Sequence, residues 1–379
     1  MDFPALPDEQ AVESFFRALQ TDLEDLRDPR GLRLNLAFVL TAVVAAQLCG
    51  ARDVSSIHRF IFHRLPWLRK ATGLSRARGP SRAHLPRLLI GVDIEGLAQI
   101  IAQHFGSAPK GWVALDGKTL RGASREGDRQ AVVFAVDHEN SLEIAHQTQI
   151  GEKLSEITVV RELLSSSGLE SGHVTLDALH CNPGTLSQIA AAGGTYITQV
   201  KDNQPELTER CARLVQVEPP LAKHTSVDKG HGRLTEAMAR LFALRPYTQD
   251  ERWQESQLHY VVAITRETQQ LKGKTCSRET AFYVTNASPQ GSRQELLEEL
   301  VRAVRGHWAV ESNNWVRDVT LGEDTHRTKS GPLAQILALL RGLALAVLRR
   351  VGGNLRAAID RFCYVPADLA HCLRAVKFL

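Results

Sequence analysis

Paired cysteines and membrane-length apolar runs are missing from this sequence of 379 residues. Its six cysteines stand singly and form no C-x-x-C pair, so the usual spacing of a structural zinc site is absent and no disulfide framework is indicated. Two apolar runs, residues 34–49 and 333–348, are shorter than the roughly 20 residues that a membrane span needs, and both contain polar side chains. We therefore predict buried helices for both. No signal-peptide pattern is present, and we expect the protein in a reducing cytosol.

Charge is distributed unevenly along the chain. The net charge is only +4, yet residues 52–87 contain nine Lys/Arg and one acid, Asp53, which is a local excess of +8. Segments of this kind bind the phosphate backbone of nucleic acids. A solvated helical surface without a polymeric partner explains the charge alone equally well. The motifs described below favour nucleic acid.

The apolar pattern predicts a helical segment followed by a mixed α/β core. Residues 1–107 carry helix-spaced apolar residues and include the basic segment. From 108 to 200 the order is β-β-β-α-β-α-β, with a polar turn at 137–141 joining the second and third strands into a hairpin. That is the order of an RNase-H-like core, a mixed sheet in which the first and fourth strands are neighbours. A doubly wound parallel sheet is the competing fold, but the early hairpin argues against it, because parallel strands need a crossover between them.

In the second half of the sequence we predict an insertion domain, followed by the remaining part of the core. Residues 201–290 contain polar turns and strand-like runs, which we interpret as a β-rich insertion domain. Residues 291–350 complete the core, with a long helix from about 293 to 314, and residues 351–379 form a helical tail. On that helix Glu311 lies between Trp308 and Trp315 in the apolar stripe. We therefore expect Glu311 to face the body of the protein, where a carboxylate needs a partner or a metal.

Three acidic residues occur where rigid elements could bring them together. Asp116 and Asp177 each follow a short apolar strand pattern, and Glu311 lies on the predicted helix. Carboxylate oxygens are ligands of Mg²⁺, and paired metal ions are how proteins cut and rejoin phosphodiesters. Each acid also has an ordinary explanation as a turn residue, a helix cap or a half-exposed surface group, respectively. Their joint placement favours a metal site.

Five groups of residues occur in an order that is similar to a known family. They are Leu-Asp-Gly-Lys-Thr-Leu-Arg-Gly at 115–122, Thr-Leu-Asp-Ala-Leu-His at 175–180, Val-Lys-Asp-Asn-Gln-Pro at 200–205, His-Gly-Arg at 231–233, and Gly-His-Trp-Ala-Val-Glu at 306–311, which 316–320 and 322–324 follow. In these motifs the chain resembles the DDE transposases of bacterial insertion sequences. Among those transposases it is most similar to the H-repeat-associated (ISAs-type) family. Residues 28–30 and 50–52 are similar to parts of the helical domain that precedes the catalytic core there.

The resemblance implies an activity, a cofactor and a partner. The activity is the cutting and joining of DNA at the ends of an insertion sequence, with Asp116, Asp177 and Glu311 as the DDE triad that binds Mg²⁺, for which Mn²⁺ substitutes. The partner is DNA in a bacterial cytoplasm, with a homodimer or larger assembly when two ends are synapsed. Two alternatives remain: a transposase-derived DNA-binding protein without catalysis, and a non-transposing RNase-H-like nuclease.

Several cations and histidines near these motifs are predicted to contact DNA. Near a phosphodiester they would clamp phosphates, whereas elsewhere they would be surface cations or structural histidines. His307, one turn before Glu311, could also orient that residue. The predicted contacts are Lys118, Arg121, His180, Lys201, His231, Arg233, His307, Arg317, Arg327 and Lys329.

Overall fold

The computed structural model describes residues 14–28, 32–105, 111–120, 131–149, 156–230, 232–244, 250–270, 276–325, 328 and 330–379. Its first part is helical: α1 (Phe15–Thr21), α2 (Leu36–Leu48), α3 (Val54–Thr72), α4 (His84–Ile90) and α5 (Ile94–Phe105). Every residue of α2 is buried, and Asn35 caps it by accepting a hydrogen bond from the Phe38 amide. A capping box of Asp53 and Ser56 begins α3, which carries part of the basic segment.

The central sheet has the predicted order of elements. These are β1 (Trp112–Thr119), β2 (Ala131–Asp137), β3 (Glu143–Gln149), α6 (Glu156–Ser167), β4 (His173–Leu176), α7 (Pro183–Ala191) and β5 (Thr195–Val200). The strands lie in the order β3-β2-β1-β4-β5, with β2 antiparallel to β1, and with β1, β4 and β5 parallel. The RNase-H-like fold is therefore confirmed. In its register Leu115 pairs with Leu176, so the next residues, Asp116 and Asp177, lie side by side.

The predicted β-rich insertion continues the same sheet. After α8 (Pro205–Val217) come β6 (Ala222–Gly230), β7 (Arg233–Ala243), β8 (Tyr260–Gln270) and β9 (Cys276–Thr285). The sheet extends from β5 through β9, β8 and β7 to β6, which makes nine strands among the described residues. Asn286 fastens the junction, because its side chain accepts from the Tyr196 amide and donates to the Gly194 carbonyl. The local strand pattern gave no sign of this pairing partner.

The predicted helix at 293–314 is two helices. They are α9 (Arg293–Gly306) and α10 (Trp308–Trp315), and a π-helical turn, Val316–Thr320, follows. The chain ends in α11 (Gly331–Val351), α12 (Leu355–Tyr364) and α13 (Pro366–Ala375). By length and composition α11 could cross a membrane. However, 89% of its apolar 18-residue stretch is buried inside the protein, where the helix packs on α2. Both ends of the chain share this helical core, since Phe15 and Phe16 donate to the carbonyls of Lys377 and Phe378.

Helices cover both faces of the sheet, and β1 alternates between them. Val113 and Leu115 pack with α6 and α7 in one core, whereas Ala114 packs on the other face with Val310 of α10. By this alternation Asp116 faces α10 and Gly117 faces α6. The edge that carries the two aspartates is thus flanked by one helix from each face.

Candidate active site

Asp116 is held near the middle of β1 by two hydrogen bonds. Its carboxylate accepts from the Gly117 amide at 2.9 Å and from Nδ2 of Asn314 at 3.1 Å. Burial, with the nearby carboxylates of Asp177 and Glu156, raises the pKa of Asp116 to about 7. A crowded group of acids of this kind attracts cations, because a positive charge would relieve the repulsion.

Asp177 directly follows β4 and caps a short 3-10 turn, Ala178–His180. Its carboxylate accepts a hydrogen bond from the Leu179 amide at 3.0 Å, and its own carbonyl accepts one from the Thr198 hydroxyl at 2.9 Å. The Asp177 side chain remains 42% exposed, which leaves carboxylate surface free for a ligand.

The motif at 200–205 fixes the loop that carries Asp177. Asn203 donates to the Ala178 carbonyl at 2.6 Å, and Gln204 donates to the Cys181 carbonyl at 2.8 Å. Both amides satisfy backbone carbonyls at the start and end of the 3-10 turn. The motif therefore acts, at least in part, by shaping this loop.

One side of α10 lies against β1 and β4, beside the two aspartates. His307 Nδ1 lies 2.9 Å from the Thr175 hydroxyl of β4, and Asn314 bonds to Asp116 of β1. Glu311 lies four residues after His307 and three before Asn314, so it shares their side of the helix. Partial burial raises the pKa of the Glu311 carboxyl, and the nearby Lys201 acts in the opposite direction.

The predicted burial of Glu311 between two tryptophans is wrong. Glu311 is exposed, and the flanking Trp308 and Trp315 are 65% and 60% exposed. The reason is the break at His307, where α9 ends and α10 begins, so the apolar stripe of α9 does not continue onto the same side. Glu311 lies at the rim of the site instead of inside the core.

Two of the predicted DNA contacts are buried beneath the site. Lys118 is 8% exposed, and its Nζ bonds to Asp318 at 2.5 Å and to Asp324 at 3.3 Å. His180 is fully buried, with Nε2 at 3.2 Å from Glu156 Oε1. Neither side chain is placed to reach a DNA phosphate, so the structure corrects both predictions.

Arg317 is buried as well. It donates two hydrogen bonds to Glu323 at 3.0 and 3.1 Å, one to Glu143 at 3.0 Å and one to the Ala338 carbonyl at 2.7 Å. Its guanidinium also lies 4.2 Å from the centre of the Phe134 ring. The prediction of a phosphate contact is corrected to a structural role, since this cation is fully buried and bonded to two carboxylates and a carbonyl.

Of the seven remaining predicted DNA contacts, three lie among the described residues. Lys201 and Arg233 are exposed, at the end of β5 and the start of β7. His307 is partly buried against Thr175, and burial lowers its pKa to about 4. The other four lie outside the described residues: Arg121, His231, Arg327 and Lys329.

Sequence reasoning missed Glu156 and Asn314. Glu156 is the first residue of α6, and its carboxylate lies so close to Gly117 that a Cβ there would be 2.2–2.6 Å from it. Asn314 contacts Asp116 from the opposite face of the sheet. An acid in the first turn of a helix is ordinary, and an amide one residue before a helix end carries no motif. Neither had a signal that pointed to the site.

The model of the transposase DDE domain family matches residues 108–347, more than half of the chain. This chain belongs to the DDE transposase family. A second family model, described as DDE_Tnp_1-associated, matches the helical residues 16–105.

Relatives of this DDE transposase extend over most of its length. It is 25% identical over 369 residues to "Putative transposase YncI" of Escherichia coli O157:H7, covering 92% of this chain and 93% of that protein. It is also 25% identical over 255 residues to "H repeat-associated putative transposase YhhI" of Escherichia coli K12, covering 64% of this chain and 65% of that protein. A solved piggyBac transposase synaptic complex with hairpin DNA has a TM-score of 0.45 and 10% identity, covering 90% of this chain and 70% of that one.

The oxygen donors of this DDE transposase suit a divalent cation. Among the described residues no three His, Cys, Asp or Glu side chains converge closely enough to hold a metal ion. The carboxylates of Asp177 and Glu156 nevertheless repel that of Asp116, and Oδ1 of Asn314 is buried without a hydrogen-bond partner in the part of the chain described. Carboxylate and amide oxygens are the ligands that Mg²⁺ accepts in proteins. The two aspartates therefore fit such an ion, because Mg²⁺ commonly takes only one or two carboxylates and completes its shell with water and substrate phosphates.

Proposed function

We propose that this protein cuts and joins DNA at the ends of an insertion sequence. The observation that carries the proposal is the pairing of β1 with β4, which brings Asp116 and Asp177 together beside the helix that bears Glu311. Family membership supports the reaction class, and this arrangement supports the choice of these residues. Asp116 and Asp177 would hold Mg²⁺ or Mn²⁺, and Glu311 would complete the set from the rim.

The chain's own groups would divide the remaining work. Asn314 orients the carboxylate of Asp116, and the 178–182 loop is held by Asn203 and Gln204. Metal ions held by these acids would lower the pKa of the attacking water or 3′-hydroxyl and would stabilise the leaving oxygen. The exposed position of Glu311 leaves room at the rim for a DNA strand. Lys201, near Glu311, is suited to neutralise a phosphate there.

The proposed DNA path also includes the basic helical surface. The exposed cations there are Arg59, Lys70, Arg76, Arg78, Arg82 and Arg87. We infer that this surface binds the DNA backbone, and that two copies of the chain act together when two ends are joined. Exposed cations release counterions when they bind phosphates, which makes such binding dependent on salt.

The test is cleavage and strand transfer by Asp116→Asn on DNA that carries the element's ends, with Mg²⁺. We expect both reactions to be lost while DNA binding persists, because the amide keeps the size of the carboxylate without its charge. Asp360→Asn, at a half-exposed position in a surface ion pair on α12, is the matched control and should retain activity. Undiminished cleavage by Asp116→Asn would refute the assignment.

The same assay separates the alternatives. Tight DNA binding by the wild-type chain without any cleavage would favour a transposase-derived binding protein. Cleavage without a preference for the terminal repeat at high salt would favour a nuclease, because nonspecific phosphate binding weakens steeply with salt.

A further inference from the structure

Glu156 reaches the acidic centre from the face of the sheet opposite Glu311. Its helix, α6, packs on the side of β1 that Val113 and Leu115 share, whereas α10 packs on the other side. Gly117 makes the approach possible, since an added Cβ there would lie 2.2 Å from the Glu156 carboxyl carbon. The missing side chain leaves a gap in the strand, which the Glu156 carboxylate fills.

His180 connects Glu156 to Asp177. Its Nε2 lies 3.2 Å from Glu156 Oε1 and 3.8 Å from Asp177 Oδ1, and the ring is fully buried. Carboxylates only accept hydrogen bonds, so the atom between them must carry the proton. Nδ1 is buried without a hydrogen-bond partner among the described residues, which disfavours a proton there. The geometry therefore selects the tautomer with the proton on Nε2.

We propose that Glu156 is a fourth acidic residue of this centre, which positions Asp177 through His180 and strengthens cation binding by the Asp116–Asp177 pair. The inference rests on the proposed function. The ring's single N–H donates to Glu156, which holds the ring with Nε2 3.8 Å from Asp177 Oδ1, and the Glu156 charge adds to the negative field at Asp116. Partners that orient a metal ligand typically change metal affinity by about 10- to 100-fold when they are removed.

The first test measures Mn²⁺ binding to the whole protein by the loss of free-ion electron paramagnetic resonance signal. We expect Glu156→Ala to weaken the affinity about ten-fold or more, and Glu156→Gln less, because the amide oxygen still accepts from His180. Glu162→Gln, an exposed position on the same helix, is the matched control and should bind as the wild type does. Wild-type affinity in Glu156→Ala would overturn the inference.

A second test acts on Gly117. The backbone there is not in the left-handed region, and the clash of Gly117→Ala is with the end of a flexible side chain, so the variant should fold. We expect it to displace the carboxylate and weaken Mn²⁺ binding as Glu156→Ala does. In the Glu156→Ala background the same substitution should have no further effect. Additive losses would contradict the inference, because they would show that Gly117 acts independently of Glu156.

A third pair of variants separates positioning from packing. His180→Gln places an amide N–H near the position of Nε2, whereas His180→Leu removes it. We expect the Gln variant to retain more Mn²⁺ affinity than the Leu variant at matched thermal stability. Equal affinities would reject the positioning role. If the Leu variant does not fold, the Gly117 and Glu156 variants decide the question.

These outcomes are distinct from failure of the proposed function. If the wild type binds Mn²⁺ and Asp116→Asn does not, the centre is a cation site, and Glu156→Ala alone tests the inference. If the wild type binds no Mn²⁺, both the centre and the role of Glu156 are rejected.

Discussion

Replacing Arg317 should unfold the protein more readily without changing how it binds DNA. The guanidinium is 1% exposed and donates to Glu323 and Glu143, whose side chains are 2% and 8% exposed. Arg317→Met leaves these carboxylates buried without their main partner. Removing one member of a buried ion pair costs about 3–5 kcal/mol, a large share of the roughly 5–15 kcal/mol that stabilises a typical protein.

The environment of Glu143 places the expected loss near the lower end of that range. Burial raises the pKa of Glu143 to about 7, although Arg317 acts in the opposite direction. Without Arg317 this carboxyl should take up a proton near neutral pH, which removes part of the penalty. Glu323 retains Arg341, at 3.8 Å. We therefore expect a loss of about 3 kcal/mol for Arg317→Met.

Arg317→Lys should lose about 1–3 kcal/mol, because an ammonium cannot reproduce the paired hydrogen bonds to Glu323. Urea unfolding, followed by circular dichroism, measures these losses as a lower midpoint with an unchanged slope. Arg213→Met is the control, since Arg213 is 72% exposed in a surface pair, and its effect should stay within about 0.5 kcal/mol.

DNA binding measured over a range of salt concentrations provides the contrast. A phosphate contact would lower the salt dependence by about one unit of slope when it is removed. Arg317→Met, which removes the charge, should leave that slope unchanged under conditions in which the variant is folded. Unchanged stability together with a reduced slope would refute the structural assignment and restore the predicted phosphate contact.

Two further predictions concern pH and charge. Burial lowers the pKa of His307 to about 4 from the ordinary 6.5, so its contribution to stability is present above about pH 6.5 and is lost as pH falls towards 4. Denaturation at pH 7.5 and 5 should show wild type losing about 2 kcal/mol more than His307→Asn, and parallel losses would contradict this. Reversing the charges of Arg76 and Arg78 together, at exposed positions, should weaken DNA binding and lower its salt slope by about two, and an unchanged slope would exclude that surface as the DNA contact.

The sheet could be predicted because its signals are local. The hairpin turn at 137–141 separates two apolar strands. β4 ends just before Asp177, whereas the apolar residues of β1 lead up to Asp116 and the strand continues to Thr119. Right-handed crossovers and the early hairpin then leave few ways to order the strands. The register that pairs Leu115 with Leu176 makes the two aspartates neighbours, as the predicted strand order requires.

The helix that carries Glu311 shows where local reasoning failed. Its apolar stripe predicted a continuous helix with Glu311 buried. In the structure the helix is interrupted at His307, and Trp308 and Trp315 are exposed. The buried residues change from Leu300 and Val304 in α9 to Val310 and Asn313 in α10, and the periodicity of α9 does not predict this shift. His307 contributes to the site through Thr175, a contact between residues 132 positions apart.

Residue types and their order along the chain were enough to indicate the fold, the family and the acids of the candidate centre. They did not indicate which charged side chains are accessible to a ligand and which are buried in ion pairs. In the sequence Lys118 has the character of a phosphate contact, but in the structure it is paired with Asp318, 200 residues later. Glu156 has the character of an ordinary first residue of a helix, but its carboxylate fills the gap at Gly117. The energy of a charge depends on its burial and its partners, and both are set by segments that are distant in sequence and meet only in the folded protein.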